Sequence, residues 1–139
     1  MDGYRLVHVQ EVEFRDLDGL GHVNNAVYLS YLENAKIDYL REVVGADALA
    51  ELGIVADVKI AYRSPAFFGE TLAIGIRVGR VGTKSLEFQF EVRGPDERIV
   101  AEGSSVHVTF DYATGEPTPV PSDWRRRIEA YEAETLAAR

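Results

Sequence analysis

The segment from Asp18 to Tyr28 reads Asp-Gly-Leu-Gly-His-Val-Asn-Asn-Ala-Val-Tyr. A carboxylate, Asp18, and an imidazole, His22, stand four residues apart in a stretch that contains Gly19 and Gly21. The two glycines permit a tight backbone path, and the stretch leads directly into a long helical pattern. The first amides of such a helix have no internal partners and carry the positive end of its macrodipole. They can stabilise an oxyanion developing on a carbonyl. Asp18 could then attack that carbonyl or take a proton from water. One oxyanion donor and one positioned carboxylate outline an acyl transfer, and a single oxyanion donor is worth about 3–4 kcal/mol of barrier.

Plainer roles compete for the same residues. A turn aspartate commonly bonds nearby amides, and Asp16 is assigned that role because it lies on the other parity of the incoming chain. His22 can order the loop or take part in catalysis. Asn24 or Asn25 is a natural N-cap, with substrate contact as a second use of the position. Glu33 reads as a surface or interface acid. Tyr28 and Tyr31 read as core residues whose hydroxyls find a partner.

The elements that must hold this loop follow from periodicity. Arg5 to Phe14 reads as a strand of mixed parity, with a bulge near Gln10 as one way to reconcile it. Tyr28, Leu32, Ala35, Tyr39 and Val43 recur at spacings of four, three, four and four, one face of a helix from about Asn25 to Val44. Gly45 is placed to end it, with an extension towards Leu52 as an alternative. From Gly53 the period is two: Ile54 to Tyr62, Leu72 to Val78, Leu86 to Val92, and a last strand from about Ile99 to Asp111 with Val106, Val108 and Phe110 in step. Short turns at Gly82-Thr83 and Gly94-Pro95 favour antiparallel pairing. After Pro117, Pro119 and Pro121, Ser122 starts a short helix carrying Trp124, Ile128, Tyr131 and Leu136. An apolar sheet face needs a cover, and the long helix is the one element large enough, so the sheet should wrap around it in an α+β arrangement.

The bulk composition agrees with a single domain over residues 1–139, with a helical tail at about 122–137. The chain has 139 residues, 46% hydrophobic and 27% charged, a globular balance. There is no cysteine, which excludes disulfides, thiolate metal ligands and a cysteine nucleophile. Neither a signal-peptide core nor an apolar run of membrane-spanning length is present, so a cytoplasmic, soluble protein is expected. A formal net charge of −8 argues against nucleic acid as a partner. His8, His22 and His107 show no metal-ligand spacing, and no Gly-x-Ser-x-Gly elbow, Walker loop or dinucleotide fingerprint occurs. No metal or cofactor is expected.

The run Val12-Glu13-Phe14-Arg15-Asp16-Leu17-Asp18-Gly19-Leu20-Gly21-His22-Val23-Asn24-Asn25-Ala26-Val27-Tyr28, with Glu33 beyond it, resembles the hotdog-fold acyl-CoA thioesterases of the 4-hydroxybenzoyl-CoA thioesterase group. It is also similar to plant fatty acyl-ACP thioesterases. Tyr62-Arg63-Ser64-Pro65-Ala66, Gly69-Glu70-Thr71-Leu72 and Gly82-Thr83-Lys84-Ser85 fit the same family. The resemblance implies a hotdog fold, a five-stranded antiparallel sheet around one long helix, and hydrolysis of an acyl-CoA without a cofactor. It implies Asp18 as the catalytic aspartate, the backbone amide of Asn25 as the group that polarises the thioester carbonyl, and a catalytic role for His22. Leu20 departs from the acyl-ACP branch, which has asparagine there. Asn24, Arg63, Ser64, Gly82, Thr83, Lys84 and Ser85 are the candidate substrate contacts. Among the basic residues Arg63, Arg80 and Lys84, whose turns could meet at one end of the sheet, Lys84 is the foremost candidate for the coenzyme A phosphates. The family further implies a homodimer or homotetramer with sites shared between subunits. An acyl-ACP thioesterase, a hotdog dehydratase and a non-catalytic acyl-thioester-binding module remain as alternatives.

Overall fold

The computed structural model describes residues 1–45 and 52–137, with side chains to residue 133. Its elements in chain order are β1 (Leu6–Glu11), a 3-10 turn (Phe14–Asp16), α1 (Val27–Val43), β2 (Ile54–Tyr62), β3 (Thr71–Val81), β4 (Ser85–Arg93), β5 (Ile99–Val108), β6 (Phe110–Asp111), β7 (Glu116–Pro117) and α2 (Ser122–Ala137). β1 to β5 form one antiparallel sheet in the order β1-β3-β4-β5-β2. The concave face holds α1, whose Tyr28, Tyr31, Leu32, Ala35, Tyr39, Leu40 and Val43 are all buried. They meet Leu72, Ile74, Ile76 and Val78 of β3 and Leu86, Phe88, Phe90 and Val92 of β4. At 1.5 Å per residue and 3.6 residues per turn, the four-three-four spacing of those helical side chains keeps one stripe on the sheet.

Gly45, at φ +99°, ends α1, its amide bonding the Leu40 carbonyl at 2.8 Å. The alternative extension towards Leu52 runs through residues outside those described. α2 closes one end of the core with Trp124 and Ile128. Glu132 pins it: one carboxylate oxygen accepts from the Tyr39 hydroxyl at 2.7 Å and from the Val78 amide at 2.9 Å, beside the bulge between Val78 and Arg80. The side chain of Leu136 lies outside the described set.

Several boundaries differ from the sequence-based expectation, each for a physical reason. The first strand stops at Glu11 rather than Phe14, and its register with β3 runs unbroken from Leu6↔Ile76 to Glu11↔Thr71, so there is no bulge near Gln10. Its inward parity is Leu6, His8 and Gln10. His8 pairs with Asp38 and Gln10 accepts from Asn34 at 3.0 Å, both on α1. Polar partners on the helix let polar residues face in, while Val9 is 66% exposed. The last strand breaks at Thr109, whose amide bonds the Lys84 carbonyl, so β5 ends at Val108. Its inward parity is also polar: Ser105, His107 and Thr109 are buried, and Val106, Val108 and Phe110 are the half-exposed set. β2 carries a bulge between Val55 and Asp57, which cuts the expected alternation from Ile54 to Tyr62.

Candidate active site

The loop before α1 folds as a small hairpin. Leu17 bridges Val23, the Asp18 amide donates to the His22 carbonyl at 2.9 Å, and the Gly21 amide returns to the Asp18 carbonyl at 3.2 Å. Gly21 takes φ +85°, which glycine adopts without steric cost. Val23, 1% exposed, anchors the hairpin in the core, and its amide donates to the Ala66 carbonyl at 2.9 Å. His22 forms a further bridge with Phe67. The hairpin thus sits where the chain enters β3.

Asp18 and His22 face each other across this hairpin. Asp18 Oδ1 accepts from the Leu20 amide at 2.8 Å, and Oδ2 stands 3.5 Å from His22 Nδ1. The turn-ordering role is thus observed on one oxygen and the proximity to the imidazole on the other, while His22 Nδ1 also lies 3.3 Å from the Val23 carbonyl. The two carboxylate oxygens are differentiated: one is held by the backbone, the other faces an imidazole and solvent. The side chains are 25% and 29% exposed, so water and a substrate can reach them. Asp16 has the structural role expected, its Oδ2 accepting from the Tyr31 hydroxyl at 2.6 Å and from the Glu13 amide at 3.0 Å.

The helix starts two residues later than expected. Its N-cap is Ala26, which has no capping side chain. Asn24 serves from outside, its Oδ1 accepting from the Ala26 amide at 2.9 Å and its carbonyl from the Val27 amide at 2.9 Å. An asparagine that turns the chain through its own side chain displaces the cap because it bonds two residues ahead. Asn25 is left in the turn. Its carbonyl accepts from the Tyr62 hydroxyl at 2.9 Å, and its exposed amide has no hydrogen-bond partner among the described residues. The carbonyl in the same peptide unit as that N–H is the Asn24 carbonyl, which accepts from the Val27 amide, and the N–H itself lies just ahead of the positive end of a 17-residue helix.

The remaining candidates divide into two groups. Arg63 and Ser64 follow β2, at the end of the sheet that holds the hairpin. Arg63 lies 3.7 Å from Glu102, and the Ser64 hydroxyl donates to the Ile99 carbonyl at 2.8 Å. Gly82, Thr83, Lys84 and Ser85 form the β3–β4 turn at the opposite end, about 30 Å away by the length of an eleven-residue strand. Arg80 is there too, so the expectation that Arg63, Arg80 and Lys84 meet at one end is corrected. Backbone groups of that turn are already engaged: the Gly82 carbonyl accepts from Arg125 at 2.6 Å and the Thr83 carbonyl from the Val120 amide at 2.9 Å. Lys84 itself is exposed and forms no ion pair among the described residues. Two surface clefts lie away from the hairpin. One of about 640 Å³ is on the outer sheet face around Arg77, Gln89 and Ser104, and one of about 490 Å³ is beside Tyr112 and Pro119.

A buried polar cluster escaped the sequence reading. Lys36 is 1% exposed, and its Nζ lies 2.9 Å from His107 Nε2 and 3.2 Å from Glu33. Burial, and then the neighbouring ammonium, pushes the His107 imidazole down to about 4, so it stays neutral and accepts from Lys36. His107 Nδ1 and Ser105 Oγ are buried without a hydrogen-bond partner among the described residues. The available signal was a lysine on the apolar stripe of α1, between Leu32 and Leu40.

A five-stranded sheet curled about one buried helix, with a carboxylate and imidazole gathered at the helix's head, is the hotdog arrangement of a thioester-processing protein. The chain belongs to the thioesterase-like superfamily, whose family model matches residues 12–128. It is 29% identical over 117 residues to the long-chain acyl-CoA thioesterase FadM of Escherichia coli, covering 81% of this chain and 89% of that protein. A solved thioesterase from Thermus thermophilus, complexed with coenzyme A and Zn, superposes with a TM-score of 0.86 at 35% identity, over 96% of this chain and 98% of that one. A chloroplastic acyl-acyl carrier protein thioesterase of Arabidopsis thaliana is 25% identical over 128 residues, 87% of this chain and 67% of that protein.

Proposed function

We propose that this chain hydrolyses acyl-CoA thioesters to a free acid and coenzyme A, with Asp18 as the reacting carboxylate. The observation that carries the reading is a partly exposed Asp18 carboxylate facing His22, in the hairpin that leads to an Asn25 amide without a hydrogen-bond partner among the described residues. In this mechanism the amide binds the thioester oxygen as it gains charge. Asp18 Oδ2 takes a proton from water, and the water oxygen bonds to the acyl carbon. The tetrahedral intermediate collapses with loss of the thiolate, which recovers the proton. Oδ1, held by Leu20, fixes the plane of the carboxylate, and His22 steadies Oδ2 at 3.5 Å. Direct attack by Asp18 would instead give a mixed anhydride. One turnover in ¹⁸O-water reveals an anhydride that water opens at the Asp18 carbonyl, because the label then enters the Asp18 carboxylate and the freed acid carries an unlabelled Asp18 oxygen.

The active unit on this reading is at least a homodimer. β2 is an edge strand with no strand partner on one side among the described residues, and Ile54, Val55 and Tyr62 are exposed at 44%, 42% and 45%. Joining two copies about a twofold axis at β2 brings the Lys84 end of one chain beside the Asp18 end of the other. Asn24, Arg63 and Lys84, with the turn Gly82-Thr83-Ser85, would then contact coenzyme A, the basic side chains taking its phosphates. The cytoplasm, where acyl-CoA is made and consumed, is the expected location. A panel of acyl-CoAs with a thiol-reactive dye tests the activity. Catalytic release of thiol supports it, and tight binding without turnover refutes it.

A further inference from the structure

Beyond the five-stranded sheet the chain forms a second small hairpin, β6 and β7, with Phe110 opposite Pro117 and Asp111 opposite Glu116. Gly115, at φ +75°, closes its turn, and its amide donates to the Asp111 carbonyl at 2.8 Å. This hairpin and the prolines that follow it enclose the cleft of about 490 Å³. Phe110, Tyr112, Pro119 and Pro121 line it with ring surfaces, and Asp111 adds a carboxylate. Tyr112 is 63% exposed, yet it is held at two points. Its ring meets Phe110 at 5.2 Å in a T-shaped contact, and its hydroxyl donates to the Gly53 carbonyl at 3.1 Å. A large aromatic fixed in place with most of its surface open is a preformed stacking platform.

The cleft is built onto the turn that carries Lys84. The Thr109 amide donates to the Lys84 carbonyl at 3.0 Å, and the Thr118 amide to the Thr109 carbonyl at 2.8 Å. The Thr109 hydroxyl lies within hydrogen-bond reach of both the Lys84 and the Thr118 carbonyls. The Val120 amide, between the two lining prolines, donates to the Thr83 carbonyl at 2.9 Å. Thr109 and Thr118 themselves line the cleft, so its floor is one hydrogen bond from the backbone of Lys84. Lys84 is exposed and forms no ion pair among the described residues. Its flexible stem can carry an unpaired ammonium to the mouth of the cleft.

Flat rings, one carboxylate and a neighbouring cation together match an aminopurine that carries phosphates on its sugar. We propose that this cleft is the adenine subsite for coenzyme A, and that it selects acyl-CoA over a thioester borne by a carrier protein. The inference rests on the acyl-CoA reading and extends it to the carrier. The base stacks on Tyr112. Asp111 Oδ1 holds the Ala113 amide at 2.8 Å, and the other carboxylate oxygen, with no hydrogen-bond partner among the described residues, accepts from the exocyclic amine. A carboxylate inside the cleft and an ammonium at its mouth also set the orientation: the base enters, and the phosphates stay with Lys84. A volume of about 490 Å³ falls within the roughly 300–1,000 Å³ of small-molecule sites. Carrier-bound phosphopantetheine presents the same thioester arm without a nucleoside, so it leaves the cleft empty.

Two measurements on the full chain test this. The first is the ratio of kcat/KM for an acyl-CoA to that for the matching acyl-phosphopantetheine, which keeps the arm and lacks the nucleoside. The wild type should favour acyl-CoA, and Tyr112→Ala should lower the ratio about tenfold. Tyr112→Phe, which keeps the ring and gives up only the Gly53 bond, should retain most of it. The second is the calorimetric affinity for adenosine 3′,5′-bisphosphate, which Tyr112→Ala should weaken by a similar factor. The inosine analogue, with a carbonyl in place of the amine that meets Asp111, should bind the wild type less tightly. A wild type that treats the two thioesters alike, a ratio unmoved in folded Tyr112→Ala, or equal affinity for the adenosine and inosine compounds overturns the proposal. Should neither thioester be hydrolysed, the thioesterase reading falls, and the nucleotide affinities decide the cleft independently: weakening in Tyr112→Ala supports it, and no binding or an unmoved affinity overturns it.

Discussion

Asp18→Asn is the most informative single change. Asparagine keeps the side-chain oxygen that accepts from the Leu20 amide at 2.8 Å, so the hairpin retains its turn. What is lost is the charge on the other oxygen, 3.5 Å from His22 Nδ1. For a partly exposed contact of that length, the effect on folding should be under about 1 kcal/mol. Removing a general base costs roughly 10²–10⁴ in rate, about 3–5 kcal/mol of barrier at 1.4 kcal/mol per factor of ten. Asp18→Ala should lose the same activity and in addition the Leu20 bond, about 1 kcal/mol, lowering Tm by roughly 2–5 °C for a chain of this size.

The assay is acyl-CoA turnover by thiol release, with calorimetry on the same samples. His22→Asn completes it. If Asp18 and His22 act as a unit, the double variant should be barely worse than Asp18→Asn alone. An Asp18→Asn protein with unchanged Tm and more than a tenth of wild-type kcat/KM would refute the mechanism, because no other carboxylate is paired in this hairpin with a free side to solvent.

Other consequences concern the core. The folded chain holds the His107 imidazole near 4 against an ordinary 6.5, chiefly through burial. Between those values the unfolded chain takes up a proton that the folded chain refuses. Stability should thus be complete above about pH 6.5 and fall by on the order of 3 kcal/mol as pH drops towards 4; urea midpoints from pH 7.5 to 4.5 test this, and His107→Gln should flatten the profile. Glu132→Ala should cost about 2–5 kcal/mol in urea unfolding, because it leaves the buried Tyr39 hydroxyl and Val78 amide without their shared acceptor. Glu132→Gln, which retains a carbonyl oxygen, should cost less than half of that.

Periodicity captured what depends on apolar burial alone. The stripe Tyr28, Leu32, Ala35, Tyr39 and Val43 and the alternation Leu86, Phe88, Phe90 and Val92 lie against each other as the pattern requires. It failed where a buried face is polar. His8 and Gln10 face in because Asp38 and Asn34 meet them from α1, and Ser105 and His107 face in opposite Lys36. A pattern that scores only apolarity assigns those strands to the wrong face, and the partners lie 24 to 71 residues away. The glycine-containing stretch read as a tight loop folds as a hairpin that brings Asp18 and His22 together, but the helix start did not follow from Asn24-Asn25. A side chain that bonds two residues ahead moves the cap, and only the backbone path reveals it. The division of the basic candidates was hidden for a different reason. Turn composition marks a reversal without saying at which end of the sheet it lies.

On the proposed dimer, that division makes the subunit arrangement part of the chemistry. One chain carries Asp18 at one end of β3 and Lys84 at the other, about 30 Å apart, farther than one pantetheine arm and its thioester need to bring them together in a single chain. If Lys84 of one copy serves Asp18 of the other, two defective chains should rescue each other. Asp18→Asn and Lys84→Glu would each be weak as homodimers at low acyl-CoA concentration. Unfolded together and refolded at equal amounts, they should give homodimers and heterodimers in a ratio of about 1:2:1 if the pairing is unbiased. Each heterodimer holds one site with Asp18 from the Lys84→Glu chain and Lys84 from the Asp18→Asn chain, and one site lacking both. Half of the dimers with one good site in two gives about a quarter of wild-type activity. If instead each chain supplied both residues to its own site, no heterodimer site would be intact, and mixing would return only the average of the two defective proteins. The size of the recovery therefore separates a shared site from a self-contained one without any need to see the ligand.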